Sequence, residues 1–161
     1  DISSILKNKK QRIWICGHSL GGAMATLCAS RLEELEPTLY TYGSPRVGGK
    51  DWRDGCDVEH YRFINNNDIV TAVPLWLMGY RHHGIVRYIN YYGRIRRLTF
   101  WQKVKDSLRG RWKALTKFQM FDGIYDHDIA GGYADKLQAL WFESREKIRK
   151  RANVGHDREN V

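Results

Sequence analysis

Apolar residues follow two different periods along the chain, and these periods predict alternating strands and helices. Short apolar or β-branched runs, which are typical of strands, occupy 12–16, 38–42 and 60–65. A Gly-rich turn at 17–22 leads from the first of these strands into a small-residue helix that reaches about Leu35. Strands that alternate with helices indicate an α/β domain with a parallel sheet.

The remaining segments predict further elements around this sheet. They are the end of a helix at 1–9, a short helix at 51–56, an apolar loop at 69–80, a hairpin at 85–97 and a long helix at 129–151. Apolar side chains recur every three or four residues in the long helix, so we expect them on one face. They are Ile129, Tyr133, Leu137, Leu140, Trp141 and Ile148. Residues 152–161 are polar and predict a frayed tail.

Composition fits one ordinary globular domain. The chain has 161 residues, of which 42% are hydrophobic and 28% are charged, and this argues against a disordered chain. A mean hydropathy of −0.58 and the lack of a long apolar run argue against a membrane-spanning segment. Cys16 lies in a predicted strand and Cys28 in a predicted helix, where we expect both to be buried apolar residues without a catalytic role.

The positive charge is concentrated in one stretch. The net charge is +9, and residues 94–118 hold nine basic side chains with Asp106 as their only acid. Trp101, Trp112 and other apolar residues recur there at helical spacing, which predicts a basic amphipathic helix. Such a helix either packs its apolar face on the core or contacts an anionic membrane surface. No nucleic-acid-binding motif accompanies it, so we expect no nucleic-acid partner.

Gly17-His18-Ser19-Leu20-Gly21 matches the pattern G-x-S-x-G between a predicted strand and a predicted helix. This is the setting of a nucleophile elbow, whose turn is too tight for side chains beside the serine. Ser19 is therefore the candidate nucleophile. The backbone N–H of Leu20 is the candidate oxyanion donor at the start of the helix. The alternative is an ordinary Gly-rich turn with a capping serine.

A nucleophilic serine needs a base and an acid that orients it. In hydrolases with this elbow, the acid follows the serine and the histidine follows the acid. Asp68 comes just after the strand at 60–65, at the carboxyl end where sites collect in α/β sheets, and is the candidate acid. His127 precedes the last helix and is the favoured base, with His82 and His83 as the alternative.

Asp126, His127 and Asp128 together also offer residue types that bind metals. No second histidine follows at helical spacing on the same face, so we expect neither a metal nor a cofactor. Asp128 is more simply the N-cap of the helix that begins near Ile129.

Four segments in register resemble the class 3 (fungal-type, Rhizomucor-like) lipases. They are ICGHSLGGAMATLCASRL, LYTYGSPRVGG, YRFINNNDIVTAVP and DHDIAGGYADKL. The resemblance implies an α/β-hydrolase fold, a mostly parallel sheet flanked by helices, with Ser19 as nucleophile, Asp68 as acid and His127 as base. It also implies hydrolysis of ester bonds in acylglycerols or similar lipids through an acyl-enzyme, without a metal.

In that family an oxyanion donor, a lid and several strands precede the nucleophile. We therefore expect 1–151 to be a partial hydrolase domain whose N-terminal strands are absent from this chain. Pro74, Leu75, Trp76 and Leu77 in the apolar loop are candidates for contact with lipid, or for burial against the absent half. The sequence leaves the compartment open, with the cytoplasm or a membrane periphery favoured.

The competing functions stay open at this point. Within enzymes, a phospholipase or a small-ester carboxylesterase is the nearest rival to a lipase. Outside enzymes, the rival is a lipid- or membrane-binding module that has kept the fold but lost catalysis. The presence of Ser19, Asp68 and His127 together argues for the enzyme.

Overall fold

The computed structural model describes residues 12–66, 68–90, 92–96 and 126–158 of the chain. The predictions for 1–9 and for most of the basic segment at 94–118 lie outside these residues. Within the described ranges, no helix combines the length and the apolar composition that a membrane crossing requires.

Strands and helices alternate in the predicted order. The strands are β1 (Trp14–His18), β2 (Thr38–Tyr42), β3 (Glu59–Asn65), β4 (Ile85–Ile89) and β5 (Ile95–Arg96). The helices are α1 (Leu20–Arg31), α2 (Lys50–Gly55) and α3 (Asp135–Arg158). Short 3-10 turns lie at Glu33–Leu35, Val70–Ala72 and Trp76–Met78, and a π-helical turn at Ile129–Ala134 leads into α3.

The strands form one sheet in the order β1-β2-β3-β4-β5. The first four strands are parallel, and β5 runs antiparallel to β4, which closes the predicted hairpin. The predicted α/β class is therefore confirmed. Because parallel strands end at the same edge of a sheet, the segments that follow β1, β2 and β3 meet at one edge.

The core lies between α1 and one face of the sheet. Ala25 and Ala29 of α1 are buried against Leu39 of β2 and Val58, with Ile15 of β1 packed beside them. Small side chains bring α1 close to the sheet edge, because a Cβ placed on Gly22 would lie 2.8 Å from the Cβ of Ser44. This close packing positions the start of α1 beside the end of β2.

Two sequence-based expectations about burial are wrong. Cys16 and Cys28 are both exposed. Cys16 is the neighbour of Ile15 on β1, so its side chain points to the opposite face of the sheet from α1. Cys28 lies outside the stripe of α1 formed by the residues that are buried in the core, such as Ala25 and Ala29.

The last helix also differs from its prediction. It continues to Arg158 rather than ending at 151, so part of the predicted tail is helical. Of its apolar residues, Tyr133 is buried, whereas Ile129, Trp141 and Ile148 are exposed. The reason is that the segment is anchored to the sheet at its start, where Tyr133 meets Tyr42 and the end of β3.

Gly17→Ala tests the close approach of β1 to α1. A Cβ on Gly17 would overlap the carbonyl group of Gly21 and lie 2.8 Å from the nitrogen of Gly22. We expect the free energy of unfolding to fall by about 2 kcal/mol or more, because backbone has to move. Urea denaturation measures this loss.

Gly21→Ala is the matched control, since a Cβ there meets no atom within 4 Å. We expect its stability to stay within about 0.5 kcal/mol of the wild type. Equal stability of the two variants would contradict the close packing at Gly17.

Candidate active site

Ser19 occupies a sharp turn between β1 and α1. Its backbone has φ 57° and ψ −129°, outside the regions that non-glycine residues commonly adopt. The turn is held from both sides: the Ser19 N–H donates to the carbonyl of Tyr42 (3.0 Å), and the Ser19 carbonyl accepts from the N–H of Gly22 (2.9 Å). The strained conformation is thus imposed by the end of β2 and the first turn of α1.

The side chains of Ser19, His127 and Asp68 form one hydrogen-bonded chain. His127 Nε2 lies 2.7 Å from Ser19 Oγ, and His127 Nδ1 lies 2.9 Å from Asp68 Oδ1 and 3.0 Å from Oδ2. A carboxylate only accepts hydrogen bonds, so Nδ1 carries the hydrogen and, in the neutral ring, Nε2 is free to accept from the serine hydroxyl. This is the geometry that makes a serine nucleophilic.

Asp68 is held by three groups from different parts of the chain. Besides His127, the N–H of Val70 donates to Oδ1 (2.9 Å) and the hydroxyl of Tyr133 donates to Oδ2 (2.6 Å). The Tyr133 hydroxyl in turn accepts from the N–H of Asn65 (2.9 Å). Burial, reinforced by the neighbouring Asp68, raises the pKa of Tyr133, so the phenol stays a donor. The carboxylate is buried, but its charge is stabilised by these donors.

Tyr133 is a site residue that sequence patterns did not single out. The sequence placed it on a helix face with other apolar residues. The spacing of apolar residues predicts which side chains are buried, but it does not predict the hydrogen-bond partner of a hydroxyl group. The available signal was a tyrosine among mostly aliphatic residues, since a buried tyrosine usually finds a partner for its hydroxyl.

The loop that carries His127 is tied to the end of β3. The Asn65 amide donates to the carbonyl oxygens of Asp126 (2.8 Å) and Gly132 (3.0 Å), and its oxygen accepts from Lys136 Nζ (2.7 Å). Asn66 donates to the Asp126 carboxylate (2.9 Å). Because these bonds join residues about 60 positions apart, they fix the imidazole relative to the sheet.

The elbow itself also contacts the loop that carries His127. His18 Nε2 donates to the backbone carbonyl of His127 (2.8 Å), and the two rings stack with centroids 4.8 Å apart. Gly43, at the end of β2, has φ +59°, and a Cβ there would lie 2.6 Å from Asp68 Oδ2 and 3.0 Å from His127 Nδ1. Only glycine leaves room at that position for the acid and the base.

The alternative bases lie in a different place. His82 Nε2 donates to the carbonyl of Thr71 (2.7 Å), and His83 lies against His60 with their Nδ1 atoms 3.4 Å apart. Neither ring contacts Ser19 or Asp68 by hydrogen bond in the described residues. Asp128 accepts from the N–H of Gly131 (2.9 Å), so it caps the π-helical turn.

Leu20 and the apolar loop complete the set of residues singled out from the sequence. Leu20 begins α1, so its N–H has no acceptor within the helix and lies at the positive end of the helix dipole. In the loop, Leu75, Trp76 and Leu77 are exposed by 53%, 59% and 72%, while Pro74 is half-buried. This loop therefore presents an apolar surface in the structure.

Residues 1–78 match the family model described as Lipase (class 3). This part of the chain is similar to the class 3 lipases. The matched residues include the Ser19 elbow and Asp68 but not His127, so the third member of the hydrogen-bonded chain is located by geometry and not by the family match.

Several known proteins are similar to the chain. The lipase of Rhizomucor miehei is 34% identical over 97 residues, which are 52% of this chain and 27% of that protein. Secreted mono- and diacylglycerol lipase A of Penicillium cyclopium is 37% identical over 83 residues, 48% of this chain and 27% of that protein. Toxin TseL of Vibrio cholerae is 40% identical over 76 residues, 44% of this chain and 12% of that protein.

The fold resembles a solved class 3 lipase. The structure of Rhizomucor miehei triacylglyceride lipase matches with a TM-score of 0.52 and 30% identity, covering 58% of this chain and 41% of that chain. The chain spans about a quarter or less of the length of the relatives described above. The likeness therefore concerns the α/β-hydrolase core around the elbow.

Tyr133→Phe tests the hydroxyl group that holds Asp68. The substitution leaves the ring in place but removes a donor from a buried carboxylate, so we expect the free energy of unfolding to fall by about 1–3 kcal/mol. Tyr61→Phe is the control, since the Tyr61 hydroxyl donates to Glu59 at an exposed position. Denaturant titration of both variants measures the difference, and an equal effect would show that the Tyr133 hydroxyl group does not support Asp68.

Proposed function

We propose that this chain is the part of a serine hydrolase that carries the nucleophile, the base and the acid, and that the enzyme cleaves carboxylic ester bonds of lipids. The observation that carries the proposal is the continuous hydrogen-bonded chain from Ser19 through His127 to Asp68 on a strained strand–turn–helix elbow. The match of residues 1–78 to the class 3 lipase model supports the reaction class.

The geometry supports the following sequence of steps. His127 Nε2 removes the hydroxyl proton as Ser19 Oγ attacks the ester carbonyl carbon. Asp68 keeps the Nδ1–H tautomer of His127 and stabilises the imidazolium that forms. The Leu20 N–H donates to the developing oxyanion at the start of α1. His127 then returns the proton to the departing alcohol, and water attacks the acyl-enzyme with His127 again as base.

Acylglycerols are the favoured substrate class. The similar proteins include lipases whose names specify mono- and diacylglycerol or triacylglyceride. A phospholipase or a small-ester carboxylesterase uses the same three side chains and differs only in the pocket for the acyl chain and head group. A purely lipid-binding module has no need of an oriented base beside a strained serine, so the hydrogen-bonded chain favours the enzyme.

Ser19→Ala tests the nucleophile in the complete protein that contains this chain. We expect hydrolysis of a short-chain ester to fall by about 10⁴-fold or more, because the covalent step is lost. A fluorophosphonate probe should label the wild type and not this variant. Ser30→Ala is the matched control, since within the described part of the chain the Ser30 hydroxyl group donates only to the carbonyl of Leu27.

His127→Ala and Asp68→Asn should lower the same rate, by about 10⁴-fold for each, with the fold intact by circular dichroism. Near wild-type hydrolysis in either variant would refute its role. Retained labelling at Ser19 with no hydrolysis of any ester would favour a decayed, lipid-binding module. Rates for monoacylglycerols, triacylglycerols and phospholipids then assign the substrate.

A second proposal concerns the surface on which this chemistry takes place. We infer that the apolar loop around Trp76, together with the basic segment at 94–118, contacts an anionic lipid surface. The exposed side chains of Leu75, Trp76 and Leu77 support this inference. Arg46 donates to the carbonyls of Ala72 and Pro74, which holds the start of the loop against the body of the chain.

Trp76→Ser tests the loop. Losing a large apolar side chain from a lipid interface should weaken binding to anionic vesicles by about tenfold or more. Trp14→Ser is the control, because Trp14 is also exposed but lies on β1. Sedimentation with anionic and neutral vesicles, at low and high salt, measures both the apolar contribution of the loop and the electrostatic contribution of the basic segment. Equal binding to the two vesicle types would contradict the electrostatic part.

A further inference from the structure

Arg62 is a buried cation whose charge is not matched nearby. It lies in β3 with only 6% of its surface exposed, and its Nε and Nη1 atoms have no hydrogen-bond partner among the described residues. Buried arginines in proteins are normally paired, because removing a guanidinium from water without a partner is costly. Two unpartnered nitrogen atoms on one guanidinium group therefore indicate a missing acceptor.

The Arg62 side chain lines a small pocket on the α1 side of the sheet. The other walls include Thr26, Ser44, Trp52 and His60. The accessible volume is about 10 Å³, which is room for a single water-sized species. None of the lining residues is Asp or Glu, and none belongs to the hydrogen-bonded chain of Ser19, His127 and Asp68.

The cations around the pocket do not pair with carboxylates in the described part of the chain. Arg81 donates to the carbonyls of Trp76 (2.7 Å) and Tyr80 (2.9 Å), and Arg46 donates to the carbonyls of the apolar loop. Glu33 and Asp57 act to raise the pKa of His83. Neither carboxylate is among the groups that shift the pKa of Arg62.

The protonation states leave the pocket positively charged at neutral pH. Burial lowers the pKa of Arg62 to about 10, with a smaller effect of Arg46, so the guanidinium keeps its proton. Burial also lowers the pKa of both His60 and His82 to about 3, with Arg62 among the smaller causes. The histidines are therefore neutral, and Arg62 supplies the charge.

We propose that this pocket binds a small monovalent inorganic anion of the chloride type, which accepts hydrogen bonds from Nε and Nη1 of Arg62. An anion restores the partner that the buried guanidinium lacks. The volume suits at most a monatomic ion, whereas planar nitrate, tetrahedral sulfate or phosphate and a lipid head group are too large. The pocket includes none of Ser19, His127 and Asp68, so a test of anion binding does not depend on the proposed hydrolase activity.

Thermal unfolding of the full chain tests the site. At constant ionic strength, replacing gluconate by chloride should raise the unfolding midpoint of the wild type in a saturable way, by about 3 °C. Arg62→Met should lose this response. Arg53→Met is the matched control, because Arg53 is a surface residue paired with Asp54, and it should respond as the wild type does.

Line broadening of chloride in a nuclear magnetic resonance experiment provides a second readout that needs only the wild type. We expect bromide to displace chloride, and the larger nitrate and sulfate to leave it bound. An unfolding midpoint equal in chloride and gluconate would overturn the proposal, because a water molecule or a carboxylate from another part of the protein would then be the partner of Arg62. Equal stabilisation by sulfate and chloride would also overturn it, because it would reflect surface screening.

Discussion

The hydrogen bond between His127 and the Asp68 carboxylate is the contact on which the site depends, because it joins segments 59 positions apart in the sequence. One partner follows β3, and the other precedes the last helix. Asn65 and Lys136 strengthen the same junction with bonds that involve no reacting atom. The buried carboxylate thus organises its surroundings: His127 and Tyr133 each donate to it, and each is supported in turn by a group from the sheet or the elbow. An imidazole that is held in this way needs no rearrangement before it accepts a proton, as the proposed role of His127 as a general base requires.

The elbow depends on a different constraint, the space that glycine leaves. Ser19 has a positive φ, and the neighbouring backbone segments hold it there from both sides. Gly17 permits the first turn of α1 to approach β1, and Gly43 permits the acid and the base to lie against the end of β2. The strain at Ser19 is therefore balanced by packing of α1 on the sheet, where Ala25 and Ala29 are buried. The conformation of Ser19 and the hydrophobic core therefore depend on the same packing of α1 against the sheet.

Short sequence patterns predicted the elements whose structure depends on neighbouring residues in the sequence. The strands, α1 and the elbow follow from apolar runs and glycine spacing, since each is decided within about ten residues. The position of Asp68 after β3 was predictable for the same reason. The choice of His127 over His82 and His83 rested on chain order, and only the three-dimensional arrangement shows that His127 alone reaches both partners. Burial of Cys16 was predicted wrongly, because an apolar strand does not reveal which of its faces is covered.

Arg62 and Asp68 show two ways in which this sheet accommodates a buried charge. Asp68 lies at the sheet edge and accepts hydrogen bonds from His127, Tyr133 and the backbone N–H of Val70. These hydrogen bonds stabilise its negative charge beside the imidazole of His127. Arg62 lies within β3, where backbone pairing occupies the neighbouring peptide groups, and the adjacent histidine His60 bonds to Thr41 and not to the guanidinium. Its Nε and Nη1 atoms are buried without a partner among the described residues. Burial lowers the pKa of Arg62 only to about 10, so the guanidinium keeps its charge at neutral pH. A charge in that position is stable only with an acceptor beside it, and a pocket with room for one small species is where that acceptor fits.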